Sequence, residues 1–285
     1  LFPDQSKVVR IRFFEIITDK KINPAMNNRI TELFKKKKKN ILSVFYTAGF
    51  PALDSTVPIA KYLEASGADI IEIGIPFSDP VADGPTIQES NKVALDNGMN
   101  LHLLLEQVKM IRKEKSDIPI ILMGYLNPVM QYGIKQFLKD ASNAGVDGLI
   151  LPDMPVYEYE EEYREQFEQA NLCNTFLISP TTSEERIRKI DEATNGFVYA
   201  VSASSTTGAK GAFTEDQLGY FERLRKMKLR NPCLIGFGIS NQETFSTASQ
   251  YAAGAIVGSA FINLLKKNGN LQKDIADFVK NLKGT

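Results

Sequence analysis

The stretch Asp69-Ile70-Ile71-Glu72-Ile73-Gly74-Ile75-Pro76-Phe77-Ser78-Asp79-Pro80-Val81-Ala82-Asp83-Gly84-Pro85-Thr86 decides how the rest of the chain is read. Its first part is a short isoleucine-rich run, the pattern of a strand buried on both faces. Glu72 interrupts that run, and a carboxylate within a core strand is costly unless it has partners or faces a cavity. The loop from Pro76 to Pro85 holds three prolines and two aspartates, which makes it stiff and acidic. Pro85 then opens a helix near its first turn. Two carboxylates, Glu72 and Asp83, are thereby set near the carboxyl end of one strand and on the loop after it. From the residues alone two accounts stand: a pair of groups for acid–base chemistry, or a buried ion pair beside an Asp-Gly turn.

Outward from this stretch the same unit repeats, an apolar strand, a turn and an amphipathic helix. Ile41 to Tyr46 is the first strand, with a helix over 55–66. The opening stretch is the second, its helical region running from Pro85 through Lys115 with a break at Asn97-Gly98. The third is Ile118 to Met123, with a helix over 134–144. The fourth is Gly148 to Leu151, followed by an acidic helix to about Ala170. The fifth is Thr175 to Ile178, the sixth Phe197 to Val201, the seventh Cys233 to Gly236 and the eighth Gly254 to Val257, each followed by a helical segment. Eight such units over roughly 250 residues have the count and length of a (β/α)8 TIM barrel. A doubly wound open sheet is the alternative, but no Gly-x-Gly-x-x-Gly follows the first strand and none of the eight strands is polar enough for an edge. No linker-like break occurs after residue 40, so residues 26–285 read as one domain that begins with an N-terminal helix. Residues 1–25 read as an extension outside it, with Met26 a possible start.

Bulk properties narrow the chemistry. Lys+Arg 34 balance Asp+Glu 34 in 285 residues, which gives no reason to invoke nucleic acid or a membrane surface. Cys173 and Cys233 fit no zinc or redox spacing and read as core thiols of a cytoplasmic protein. His102 is the single histidine, which removes Ser-His-Asp, Cys-His and multi-histidine metal sites. Carboxylates, tyrosine or lysine are left to carry protons. The run Lys35 to Lys39 reads as a solvated helix end complementing the helix dipole, with Asn40 suited to the C-terminal cap.

In a barrel of this kind the loops at the carboxyl ends of the strands build the site, which puts Glu72, Asp83, Tyr125, Asp153 and Tyr199 on one face. Gly236-Phe237-Gly238-Ile239-Ser240 follows the seventh strand and Gly258-Ser259-Ala260 the eighth. Glycine lets main-chain N–H groups approach an anion, and a helix starting near Ser259 aims its positive end at it. The loop Ser202 to Gly211 after the sixth strand is long, small-residued and polar, suited either to a lid or to a plain surface connection.

Glu72-Ile73-Gly74-Ile75-Pro76-Phe77-Ser78-Asp79-Pro80, continuing through Ala82-Asp83-Gly84-Pro85-Thr86-Ile87-Gln88, resembles the signature of the tryptophan synthase alpha subunit family. The turns at 236–240 and 258–260 match its phosphate-binding turns. Thr47-Ala48-Gly49-Phe50-Pro51 and Tyr125-Leu126-Asn127-Pro128 are similar to its first and third loops. The resemblance runs in order from about Met26 to the C-terminus. It implies a lyase of tryptophan biosynthesis that splits indole-3-glycerol phosphate into indole and glyceraldehyde 3-phosphate, without metal or cofactor in this chain. On this resemblance Glu72 is the acid–base group, Asp83 accepts the indole N–H, and Tyr199 lies against the substrate. Phe45 and Tyr125 line the indole pocket, and Thr207, Gly208, Phe237, Gly238, Gly258 and Ser259 fall at substrate and phosphate positions. Ala203 and Ser205 depart from the Arg and Gly of many family members in the lid. The implied partner is a beta subunit that uses pyridoxal phosphate, in a two-alpha, two-beta assembly, met by the Asp79-Pro80 loop and the loop at Asp153. Another phosphate-binding barrel enzyme of the same pathway, or a barrel that only activates its partner, are the competing accounts.

Overall fold

The computed structural model describes residues 26–202, 212–267 and 269–284. The extension expected at 1–25 lies outside them, as do Ala203, Ser205, Thr207 and Gly208.

The chain enters through α1 (Arg29–Lys36), β1 (Ile41–Thr47), α2 (Thr56–Ala65) and β2 (Ile70–Gly74). α3 (Pro85–Asp96) and α4 (Leu101–Lys113) are parted at the expected break, where Gly98 takes φ +91°. β3 (Ile120–Met123), α5 (Leu126–Tyr132), α6 (Ile134–Ala144) and β4 (Gly148–Ile150) follow. The acidic segment winds as α7 (Val156–Glu158), a wider π-type turn at Tyr159–Tyr163, and α8 (Arg164–Gln169). Then come β5 (Cys173–Thr175), β6 (Leu177–Ile178), α9 (Glu184–Ala193), β7 (Val198–Val201) and α10 (Glu215–Met227). The last units are β8 (Cys233–Gly236), α11 (Gln242–Tyr251), β9 (Gly254–Val257), α12 (Ser259–Leu265) and α13 (Leu271–Lys283).

The strands lie in the order β5-β4-β3-β2-β1-β9-β8-β7-β6. Every pairing between them is parallel. The two ends of that order, β5 and β6, are successive pieces of one strand interrupted only at Phe176, one piece pairing with β4 and the other with β7. The carbonyl of Phe176 itself accepts from Tyr199 N at 3.0 Å. The sheet therefore returns on itself as a (β/α)8 barrel whose fifth strand is broken, and the open-sheet alternative falls away.

Strand alternation sorts the apolar residues into two layers. Ile41, Ile70, Ile121, Ile150, Leu234 and Ile256 form one cluster inside the barrel, while Leu42, Val44, Ile71, Leu122 and Leu149 belong to the larger core between barrel and helices. That is why the isoleucine runs carry no polar face.

α1 closes the amino-terminal end. Its N-cap, Asn28, accepts from Ile30 N and Thr31 N through its side chain, and Asn28 N in turn donates to Thr31 Oγ1 at 3.0 Å. The helix buries Ile30 and Phe34 against the barrel floor, with the Phe34 ring 5.9 Å from that of Phe197. The helix stops earlier than Asn40. Lys37 is its cap, and its ammonium pairs with Asp69 at 2.7 Å, which draws the chain off the helix. Asn40 instead takes φ 56° to turn into β1.

α5 was not expected from the sequence. Its first N–H, Leu126 N, donates to both carboxylate oxygens of Asp153, at 2.9 and 3.1 Å. A cap supplied from the next βα loop leaves no signature beside the helix it starts.

Asp147 ties the floor together. Its side chain is 2% exposed and accepts from Arg29 Nη1 at 3.0 Å, Arg112 Nη2 at 2.8 Å and Ile120 N at 2.9 Å. Removing it strands the nearly buried Arg112 guanidinium without its carboxylate partner, the costly way to break such a pair. Asp147→Ala is expected to lower unfolding stability by about 3–5 kcal/mol, measured as a fall in the urea midpoint at unchanged slope.

Candidate active site

β2 carries Glu72 on its inward face, in register with Phe45 of β1 and Ile121 of β3. The residue is fully buried. Ser43, on the inward face of β1, donates its hydroxyl to Glu72 Oε1 at 2.6 Å. The other oxygen, Oε2, is buried with no hydrogen-bond partner among the described residues. No cation pairs with this carboxyl among the described residues, so the ion-pair account of Glu72 fails. Burial pushes its pKa up to about 7, and the bond from Ser43 pulls the other way.

Above this layer, toward the carboxyl ends of the strands, lies a cavity of about 600 Å³. Its wall includes Phe45, Asp83, Tyr199, Phe237, Gly238 and the pair Gly258-Ser259. A second space of about 590 Å³ adjoins it, sharing Phe45, Asp83, Met123 and Phe237 and adding Tyr125 and Asn91. Glu72 lines neither. The sequence places it at the mouth; alternation within β2 places it one layer deeper. Phe45 stands between, since its ring occupies the room over Gly74, where an added Cβ would come within 2.6 Å of Cζ.

Asp83 is held from two sides. Tyr125 donates its hydroxyl to Asp83 Oδ2 at 3.1 Å while accepting from Ala82 N at 2.9 Å, so the phenol clamps the loop to β3. Asn91 of α3 favours the charged form of the Asp83 carboxyl. Burial raises the pKa of that carboxyl, and the bonds from Tyr125 and Asn91 oppose the rise. Tyr199, on the inward face of β7, lies across Gly236, where any side chain would collide with its ring. Burial holds its phenol far above the usual range, and the Glu72 and Asp83 carboxylates add to that. Tyr199 is thus a neutral, positioned ring.

The late turns are built for close approach. Phe237 and Gly238 take φ 66° and 76° in succession, a tight turn at the cavity wall, and the Phe237 ring lies 6.3 Å from that of Tyr199. Gly258 is the N-cap of α12 and supplies no side-chain cap, so the first N–H groups of that helix stay available beside Ser259. Phe45, Asp83, Tyr199, Phe237, Gly238, Gly258 and Ser259 meet at one cavity, Tyr125 at the adjoining space, and Glu72 beneath. His102 is exposed on α4, its ring stacked 4.6 Å from Tyr132 and remote from this site.

Three neighbours escaped the sequence reading: Ser43, Asn91 and Met123. Ser43 has a signal in hindsight, being the polar residue between Ile41 and Phe45 on the inward positions of β1, as Glu72 is the lone charge in β2.

The family model described as tryptophan synthase alpha chain matches residues 31–284. The tryptophan synthase alpha chain of Flavobacterium psychrophilum is 55% identical over 242 residues, covering 85% of this chain and 95% of that protein. The alpha chain of Phocaeicola vulgatus is 52% identical over 257 residues, covering 90% and 99%. The crystal structure of the alpha chain from Legionella pneumophila superposes with a TM-score of 0.80 at 32% identity, covering 90% of this chain and 97% of that one. With a match of that extent, and with the barrel and its cavity in the same chain, this protein belongs to the tryptophan synthase alpha chain family.

Proposed function

We propose that this chain cleaves indole-3-glycerol phosphate to indole and glyceraldehyde 3-phosphate. The observation that carries the reading is a protonatable carboxyl, Glu72, shifted to about 7 directly beneath a cavity whose wall holds a second carboxyl, Asp83. The name of the family supports it.

The bond to be broken joins indole C3 to the carbinol carbon of the glycerol chain. Breaking it directly would leave a carbanion on the ring. Protonation of C3 by Glu72 avoids this, because it turns the ring into an iminium-like electron sink. Asp83 then faces the ring N–H and stabilises the positive charge that develops there. The ionised Glu72 takes the hydroxyl proton, the C–O bond becomes a carbonyl, and the C–C electron pair returns to the ring. One proton has moved from oxygen to carbon with no net redox change. A group near pKa 7 can make both transfers close to neutrality. Tyr199 and Phe45 press on the bicyclic ring, and the turns at Gly238 and Gly258-Ser259 offer main-chain N–H groups to the phosphate.

A partner fits the same face. Val81, Met130 and Tyr157 are 87%, 57% and 72% exposed, on the loop after β2, on α5 and on α7, in the segments that follow the carboxyl ends of β2, β3 and β4. Their apolar surface adjoins the Asp79-Pro80 loop and Asp153. In this reading it docks a beta subunit that carries pyridoxal phosphate and consumes the indole, in a two-alpha, two-beta assembly. A solved structure titled as the tryptophan synthase complex from Pyrococcus furiosus covers 87% of this chain at 35% identity, with a TM-score of 0.79.

Glu72→Gln keeps the shape and removes the proton. Indole release from indole-3-glycerol phosphate is expected to fall about 10²–10⁴-fold with substrate affinity largely retained; near-normal turnover would sink the assignment. Asp83→Asn keeps the bond from Tyr125 but removes the negative charge, and a loss of about 10²-fold in kcat is expected. A mild effect would mark Asp83 as part of a structural turn.

Burial of Glu72 also has a signature in stability. Its folded pKa of about 7 stands above the ordinary 4.5, so between those values the folded chain binds more protons than the unfolded one. Stability therefore falls as pH rises from 4.5 to 7 and levels off above. Glutamine does not titrate, so the stability of Glu72→Gln relative to the parent is expected to grow across that window by about 3 kcal/mol. Urea unfolding at pH 4.5 and pH 8 measures it, and a gap independent of pH would overturn it.

A further inference from the structure

The Glu72 carboxyl has one polar handle. Ser43 and Glu72 are both fully buried, on adjacent strands, with side chains directed into the barrel. The hydroxyl donates to Oε1 at 2.6 Å, while Oε2 is left without a partner. In register beside Glu72 stand only Phe45 and Ile121, which offer no hydrogen bond. Across the barrel the Tyr199 phenol is neutral, and its link to Glu72 is through charge rather than a bond. Asp83 lies farther up, on the cavity wall, held by Tyr125 and Asn91. Neither phenol nor second carboxyl competes with Ser43 for Oε1.

We propose that Ser43 is a positioning residue for this reaction, its hydroxyl fixing Oε1 in the barrel layer so that Oε2 is the oxygen that exchanges the proton with substrate. The inference rests on the lyase reading. A carboxyl has two near-equivalent oxygens, and a fully buried one with no fixed partner can rotate to present either or turn away from the ring. One short bond from a strand residue removes that freedom, because Ser43 has a single side-chain torsion and its backbone is held within β1 by pairing to β2 and β9. The hydroxyl also favours the ionised carboxyl, since a donated bond is stronger to a charged oxygen. A merely structural serine would fill space and satisfy an oxygen; a positioning serine also changes how the acid titrates and how fast the proton moves.

The test compares Ser43→Ala, which deletes the donor, with Ser43→Thr, which keeps it. In the ligand-free full chain carrying 13C-labelled glutamate carboxyls, the Glu72 signal is identified by its absence in Glu72→Gln. Its titration midpoint is expected to rise by about one pH unit in Ser43→Ala and to return in Ser43→Thr. In turnover, Ser43→Ala is expected to lose about tenfold in kcat, the same energy, with KM for indole-3-glycerol phosphate changed less than about twofold. An unmoved midpoint overturns the hold on the carboxyl. A moved midpoint with unchanged kcat overturns the positioning role. A moved midpoint in a protein whose Glu72→Gln variant turns over at the parent rate overturns Glu72 as the proton carrier and the positioning role with it, whereas a parent chain that releases no indole overturns the lyase reading and leaves the hydrogen bond's hold intact.

Discussion

Parallel pairing all the way round the barrel is the constraint on which the rest depends. Once β5 and β6 are two pieces of one strand, the inward-facing positions below the cavity are enclosed and the side chains there, Glu72 and Ser43 among them, are fully buried. Alternation then assigns Ile41, Ser43 and Phe45 to the same inner column, and Ile70, Glu72 and Gly74 to the next. The meeting of a serine hydroxyl with a carboxyl follows from strand register alone. So does the meeting of the Phe45 ring with Gly74, which gives the cavity its floor.

That enclosure makes Glu72 expensive and useful for one reason. A carboxyl with one bonded oxygen and one bare oxygen in an apolar layer resists ionisation. Asp83 differs in degree. It sits on the cavity wall with donors from Tyr125 and Asn91, which hold its charged form against partial burial. On the proposed reading these environments divide the labour between the two carboxyls, the less solvated Glu72 carrying the proton and Asp83 facing the charge that develops on the ring.

The fold was legible in the sequence because its signals are local. Isoleucine-rich runs without a polar face, broken by glycine and proline and followed by amphipathic stretches, spell βα units one at a time. What was not legible came from partners distant in sequence. α5 takes its cap from Asp153 of the following loop. α1 ends where Lys37 finds Asp69, before the asparagine that looked like its cap. The fifth strand begins at Cys173, earlier than its apolar part, because Asn174 and Thr175 are polar residues buried within the pairing to β4. Residue types at the site were readable for the same local reason, through the long acidic loop. The depth of Glu72 was not, since depth depends on where neighbouring strands end.

Stability and chemistry are separated along the barrel axis. At the amino-terminal end Asn28, Arg29 and Arg112 converge on Asp147, and α1 drives Ile30 and Phe34 into the floor. At the other end the strands give way to turns with positive φ at Phe237 and Gly238 and to a helix start without a side-chain cap at Gly258. Those turns are shaped by main-chain geometry around a cavity, while the opposite face is closed by packing and ion pairs. The inner layer of Ser43 and Glu72 lies between the two regimes. It is rigid enough to fix an oxygen within a strand ladder, yet it adjoins the strand positions of Phe45 and Gly74 that line a cavity shaped by loops. On the proposed reading this position is what the reaction needs, because a proton donor on a loop would be solvated and ordinary in acidity. One on a strand keeps its raised pKa for as long as the barrel stays closed.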